Sequence, residues 1–427
     1  MRVAARLTGS AGVSKSWLGS GLWSGLLLLA VASPAPAKPS PERGDEAASS
    51  IHARTLVLDS HVDVLLPETA ARYAGADGKS AADLDKLIRG GVGAVALAVA
   101  VGPGARSGPG LAEARHEAAS KLEAVLAFTR EHADRVALAK SADDVTRLHE
   151  QKKIAVILSF LNARSIGTDL AEIDRYHAAG VRLFGFTHAG HNDFADSSRP
   201  KGGDPIAEHH GLSALGKRAV ERLNRLGVII DVSQLTTDAL LQTLELTRAP
   251  VVASHSAARA LVDNNRNLSD RELEAIQRKG GVVQVTAFST YLAPPPKDFP
   301  ARVAELRKRF SLPEATAPDA GVQSLPAPKQ DEFYKALRGL TPQATLAQFV
   351  DHIDYIVKKI GIDHVGIGSD FNHGAGVIGF QNEGEAGNVT RELVRRGYDE
   401  AQIDKIWGGN FLRVFRAVEA ESKKLAK

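Results

Sequence analysis

Within the run Leu56-Val57-Leu58-Asp59-Ser60-His61-Val62-Asp63, His61 and Asp63 stand two residues apart at the exit of what reads as a buried strand. Side chains two apart on a strand share one face, so this imidazole and this carboxylate converge on a single point. Nitrogen and carboxylate oxygen together are a common ligand set for zinc. An His-x-Asp pair also arises by chance on protein surfaces, and what distinguishes this one is its position and its company. His188 follows Phe186-Thr187, His255 lies in Val251-Val252-Ala253-Ser254-His255-Ser256, and Asp370 ends Gly366-Ile367-Gly368-Ser369-Asp370. A lone histidine at a strand end is more often a hydrogen-bonded rim residue than a ligand; in the company of His61 and Asp63, His255 reads as a further ligand. An acid at Asp370 can bind a metal-bound water or take its proton, the work of a general base. His191 and Asp193 read as loop hydrogen-bonding groups, the Glu208-His209-His210 run as a solvated loop, and His373, close behind Asp370, as a candidate to touch a ligand.

Such residues need a scaffold that gathers distant strand ends. From Arg54 onward, short Val- and Ile-rich runs alternate with segments of helical period, the pattern of a parallel sheet covered by helices. Eight runs read as strands: 55–59, 94–99, 155–160, 182–186, 228–231, 251–254, 282–286 and 365–368. Between two of them Leu212, Leu215, Ala219, Val220, Leu223 and Leu226 recur at helical spacing, and Gly227 stops that helix before the next strand. Eight strands in this alternation favour a TIM-like (β/α)8 barrel over an open sheet. The polar residues argue the same way, because each follows the C-terminal end of a different strand, where barrel enzymes place their chemistry. Two segments exceed an ordinary loop. Residues 102–110 read as a flexible mouth loop. Residues 292–340, with Pro294, Pro295, Pro296, Pro300, Pro313, Pro326 and Pro328, read as a proline-rich insertion after the seventh strand with a helical piece over 301–310, either a lid or a surface excursion.

Residues 1–37 have the order of a secretory signal peptide: basic Arg2, Arg6 and Lys15, an apolar stretch over 22–31, then Ala35-Pro36-Ala37, with cleavage expected after Ala37. The apolar stretch falls short of the ~20 residues of a spanning helix, so no stable membrane span is expected after cleavage. The chain has no cysteine, which excludes disulfides, lipidated cysteine and thiolate metal sites, and an exported chain of this kind fits a bacterial periplasm. Residues 38–50 read as a polar tether, 51–419 as the barrel domain and 420–427 as a charged tail. The net charge of +3 is slight and the basic residues are not interleaved with aromatics, so nucleic acid is not an expected partner.

Taken in order, Leu58-Asp59-Ser60-His61-Val62-Asp63, Gly211-Leu212-Ser213, Leu223-Asn224-Arg225-Leu226-Gly227-Val228-Ile229-Ile230-Asp231, Ser254-His255-Ser256, Asn265-Arg266-Asn267, His364-Val365-Gly366-Ile367-Gly368-Ser369-Asp370-Phe371 and Asn410-Phe411-Leu412-Arg413-Val414-Phe415 resemble the renal or membrane dipeptidase family (peptidase family M19), a branch of the amidohydrolase-type barrels. The resemblance runs over about 56–419. It implies hydrolysis of a dipeptide by a metal-activated water without a covalent intermediate, and a homodimer. It also implies roles: His61 and Asp63 on the first zinc, His255 on the second, His188 at the substrate carbonyl and the tetrahedral oxygen, Arg266 at the substrate carboxylate, and Asp370 as the proton-handling acid.

At two places the chain departs from the family pattern. Where the family has a glutamate that bridges both zincs, this sequence has Leu161; where it has a second histidine after the fifth strand, this sequence has Gln234. Both losses strike the second metal. Two dications side by side repel, and Leu161 offers no charge to offset that; an amide such as Gln234 or Asn162 is a weak zinc ligand beside imidazole. The expectation is one firmly bound zinc, on His61 and Asp63 with help from Asp370 or His255. Two functions follow: a periplasmic metallo-dipeptidase-like hydrolase of a dipeptide or related small amide, or a protein of the same fold with a degraded site that binds or matures a peptide-derived ligand.

Overall fold

The computed structural model describes residues 41–427 apart from 202–203, 315–317, 320 and 342; the expected signal peptide and its cleavage site lie outside the described residues. The described strands are β1 (Val57–Asp63), β2 (Val92–Ala100), β3 (Val136–Leu138), β4 (Ile154–Leu161), β5 (Val181–Gly185), β6 (Ile229–Asp231), β7 (Val252–Ser256), β8 (Val282–Val285) and β9 (Val365–Ile367). They are parallel and bonded in the order β1-β2-β4-β5-β6-β7-β8-β9. The ring is drawn together between its ends by the Asp370 N–H donating to the His61 carbonyl at 2.9 Å and the Asp63 N–H donating to that of Phe371 at 3.0 Å. This is the expected eight-stranded barrel with alternating helices. The short β3, which the sequence did not reveal, pairs with the N-terminal half of β4, below the point where β5 joins it.

The alternation of burial along the strands assigns the two faces. On β2, Ala94 and Ala96 belong to the inner core with Leu58, Ala155, Ile157, Leu183, Ile229, Val252 and Val282, while Val95 and Val99 pack outward under the helices. Phe411 and Phe415 of the helix Asn410–Leu425 join that inner cluster. The helix Ala214–Leu226 shows how the outer layer is built. The Ser213 hydroxyl caps it by accepting from the Gly216 N–H, Ala219, Val220 and Leu223 are buried, and Gly227 ends it at φ 70°, a left-handed turn that costs glycine little.

One irregularity governs the mouth. Asp59 pairs with Val95 but Val62 pairs with Leu97, so β1 carries one residue more than β2 between those points. A bulge of this kind reverses which side chains face inward beyond it. Leu58 faces the inner core below the bulge, and His61 and Asp63 face the mouth above it.

Several boundaries differ from the sequence-based expectation. Of the residues expected to form a polar tether, 41–50 lie in the helix Pro41–Arg54, where Ala48 is buried and Asp45 pairs with Arg391 at 3.0 Å. The expected charged tail is the last part of the helix Asn410–Leu425, fastened where the Ser422 hydroxyl donates to the Arg225 carbonyl at 2.6 Å. The loop expected to be flexible is short, since a helix begins at Gly108, and it is tied down by the buried Arg164 guanidinium, which donates to the carbonyls of Gly102, Ala105 and Gly110. The insertion contains two helices, Phe299–Arg309 and Ala327–Leu340, around a small core of Leu306, Phe310, Leu312, Val322 and Phe333. Asp331 pairs with Arg72 at 2.9 Å and Asp319 with Lys201 at 3.1 Å, so the insertion lies against the mouth rather than away from it.

Candidate active site

The mouth brings together the groups that the sequence singled out. His61 Nε2 lies 3.4 Å from Asp63 Oδ1 and 3.9 Å from Asp370 Oδ1. Both His61 Nε2 and Asp63 Oδ1 are buried without a hydrogen-bond partner. Polar atoms buried in this way are costly unless something pairs with them. The ligand atoms of His61, His255 and Asp370 all lie within 4.8 Å of one another, and the His61 and His255 rings stack with centroids 3.9 Å apart. This donor set fits a divalent ion of the zinc type. Burial alone would push the Asp63 carboxyl up, but the bond from His373 and the charges of His373 and His61 outweigh it and hold the group well below the usual carboxylate range. Burial raises Asp370 and pushes His188 and His255 well below the usual imidazole value, so both rings are neutral.

A hydrogen-bond chain fixes the state of His255. The Ser254 hydroxyl donates to Asp231 Oδ2 and lies 2.7 Å from His255 Nδ1, so that nitrogen carries the proton and donates to the hydroxyl oxygen. His255 Nε2 is then the acceptor, and Gln234 Nε2 donates to it at 3.0 Å. Gln234 thus engages the lone pair with which His255 would bind a metal. Its backbone is left-handed, φ 68°, and Asp370, three residues past the end of β9, is the same at φ 64°. Non-glycine residues in this region are strained, and such strain gathers at functional sites. At the end of β4, where the resemblance implies a bridging carboxylate, the surroundings are apolar: Leu161 packs in a small buried cluster with Ala98 and Ala100.

The remaining predicted residues line the same mouth. His188 is buried, its Nδ1 has no partner, and its ring meets that of His373 edge-on at 5.0 Å. Arg266 donates from Nη2 to the His255 carbonyl at 3.2 Å, while its Nε and Nη1 are buried without a partner. Its guanidinium lies 5.2 Å from the ring centroid of Tyr291. His373 does contact the centre, with Nδ1 3.0 Å from Asp63 Oδ2 and its ring stacked on Tyr73 at 5.1 Å. His191 is a loop brace, bonded to the Pro205 carbonyl at 2.9 Å and accepting from the Ser197 N–H at 2.9 Å. Glu208 pairs with Arg106 at 2.6 Å, and no metal cluster forms around it among the described residues. Sequence reasoning missed Arg199 and Tyr291, joined through Arg199 Nη1 and the Tyr291 hydroxyl at 3.3 Å. Neither sits at a strand end or in a stretch that carries the family resemblance, so neither signal reached them.

A (β/α)8 barrel with an imidazole and carboxylate cluster sunk in its mouth defines a metal-site barrel protein of the hydrolase type. Residues 45–427 match the family profile of membrane dipeptidase (peptidase family M19), and the chain belongs to that family of metallopeptidases. The structure of the probable dipeptidase PvdM from Pseudomonas aeruginosa is similar over 90% of this chain and 100% of that one, at 43% identity and a TM-score of 0.80. Dipeptidase tcpJ of Claviceps purpurea is 28% identical over 79% of this chain and 69% of its own length. Dipeptidase aclJ of Aspergillus oryzae is 30% identical over 65% of this chain, which spans 55% of that relative. A metallopeptidase from Rhodobacter sphaeroides, solved with a phosphinate mimic of the dipeptide L-Ala-D-Ala, shares the fold with a TM-score of 0.66 and 24% identity over 85% of this chain and 99% of that one.

Proposed function

We propose that this protein is an exported, periplasmic metallohydrolase that cleaves a dipeptide or a related small amide with one firmly held zinc ion. The observation that carries this reading is the buried pair of unpartnered atoms His61 Nε2 and Asp63 Oδ1 beside Asp370. His61 and Asp63 would hold the ion, with Asp370 or His255 completing the set. A bound divalent ion supplies polarisation of the scissile carbonyl and a water of lowered pKa.

The remaining steps fall to the protein. Arg266 turns two unpartnered N–H groups into the mouth and anchors the substrate carboxylate. The neutral His188 directs a ring N–H at the carbonyl oxygen as negative charge gathers there. Asp370, its carboxyl raised by burial, takes a proton from the attacking water and passes it to the leaving amine. The insertion beside the mouth restricts access of bulk water.

A second reading, that the chain binds or matures a peptide-derived ligand without hydrolysing it, is favoured by Leu161 in its apolar cluster and by the Gln234 amide on His255 Nε2. Metal content of the purified protein, followed by a dipeptide hydrolysis assay with added zinc, separates the two. One ion per chain with turnover supports the hydrolase; no bound metal and no turnover removes it.

A further inference from the structure

Two arginines in the mouth, Arg199 and Arg266, have no carboxylate within ion-pair distance among the described residues, although the cations around them do. Arg72 has Asp331 at 2.9 Å, Lys201 has Asp319 at 3.1 Å and Arg106 has Glu208 at 2.6 Å. Arg266 is only 4% exposed, with Nε and Nη1 unpartnered. Arg199 Nε is likewise buried and unpartnered, and among the described residues the side chain's one hydrogen bond goes from Nη1 to the Tyr291 hydroxyl at 3.3 Å. Tyr291 therefore has one guanidinium 5.2 Å from its ring centroid and the other on its hydroxyl. Two guanidinium groups held about one ring repel each other, and N–H groups removed from water without an acceptor are costly. Asp319 and Asp370 act on Arg199, and Asp370 and Asp231 on Arg266, only through space and without a bond to either group; an anion that bonds the free N–H groups has to reach both guanidiniums.

We infer that the mouth takes a substrate with two carboxylates at one end: a dipeptide whose C-terminal residue is acidic, its α-carboxylate on Arg266 and its side-chain carboxylate on Arg199. The inference rests on the reading of the mouth as a dipeptide site and adds the class of substrate. Arg199 is then a specificity residue. A charged acceptor bonded to a charged donor discriminates against a neutral isostere by about 10- to 100-fold.

The test uses zinc-supplemented full-length protein and phosphinate mimics of Ala-Glu and Ala-Gln, which bind without being cleaved, with the C-terminal residue in either configuration. Calorimetry is expected to show the acidic mimic bound at least 10-fold more tightly than its amide partner in one configuration. Arg199→Gln should collapse that ratio to near one, and Arg199→Lys, which restores the charge, should recover part of it. Equal binding of the two mimics, or a ratio that survives in Arg199→Gln, overturns the inference while leaving a dipeptide site in place. Binding of neither mimic overturns the dipeptide reading and the inference together. Charge-selective binding without hydrolysis of Ala-Glu itself supports the inference and rejects the hydrolase.

Discussion

His373 and Asp63 share one carboxylate with the centre of the mouth: His373 Nδ1 lies 3.0 Å from Asp63 Oδ2, which leaves Oδ1 to face His61 Nε2 at 3.4 Å. A partner on the outer oxygen of a ligating carboxylate fixes its rotation, and loss of such a partner costs about 10- to 100-fold in metal affinity. His373→Ala is expected to weaken zinc binding by that factor, measured by competition with a chromogenic chelator. An unchanged affinity would show that Asp63 needs no such support.

Leu161 and Gln234 can be replaced by the glutamate and the histidine that the resemblance implies there. Leu161→Glu alone buries a carboxylate beside Ala98 and Ala100, at a cost of roughly 3 kcal/mol in unfolding by urea. Combined with Gln234→His, which removes the amide from His255 Nε2, it should allow a second zinc to bind, and added metal should recover the lost stability. Elemental analysis reads the outcome directly, and a double variant that still holds one ion would contradict the reading of Leu161 and Gln234 as what limits the site to one ion.

The approach of β9 to β7 leaves no space at Gly368. A Cβ there would lie 1.9 Å from the Ser254 carbonyl oxygen and 2.6 Å from Ser60 Oγ. The first of these is backbone and cannot swing aside. Gly368→Ala should therefore destabilise the fold by about 2–3 kcal/mol and disturb His255, the next residue after Ser254. Denaturant titration of the variant against the parent checks it, and equal midpoints would contradict the packing.

His352 lies outside the metal centre and gives a pH dependence of its own. Its Nδ1 accepts from the Ala258 N–H at 3.0 Å, and burial pushes its pKa from 6.5 down to about 4. Its contribution is fully present above pH 6.5, where the ring is neutral in both states. As pH falls from there toward 4 the unfolded chain takes up a proton that the folded ring refuses, and about 3 kcal/mol is lost over that window. His352→Asn keeps an acceptor for Ala258 and removes the titration. Unfolding free energies at pH 7.5 and 4.5 should fall less in this variant than in the parent, and parallel losses would exclude His352 as a source.

The sequence by itself determined the barrel and most of its mouth. Strand and helix periods are local, so the eight inner runs and the helix that stops at Gly227 could be read in place, and a polar residue just past an apolar run marks a strand end wherever the strand lies. Leu161 and Gln234 were legible only through the family resemblance, as residues standing where it implies a glutamate and a histidine. Tertiary structure alone decided the rest. The bulge in β1, which turns His61 and Asp63 inward, is a mismatch of register with β2 and has no local signature. The Gln234 amide meets His255 across 21 residues and Arg199 meets Tyr291 across 92. Contacts of that range arise from packing, which the pattern of one segment does not encode, and they decide whether a ligand atom is engaged and which cations lack an anion.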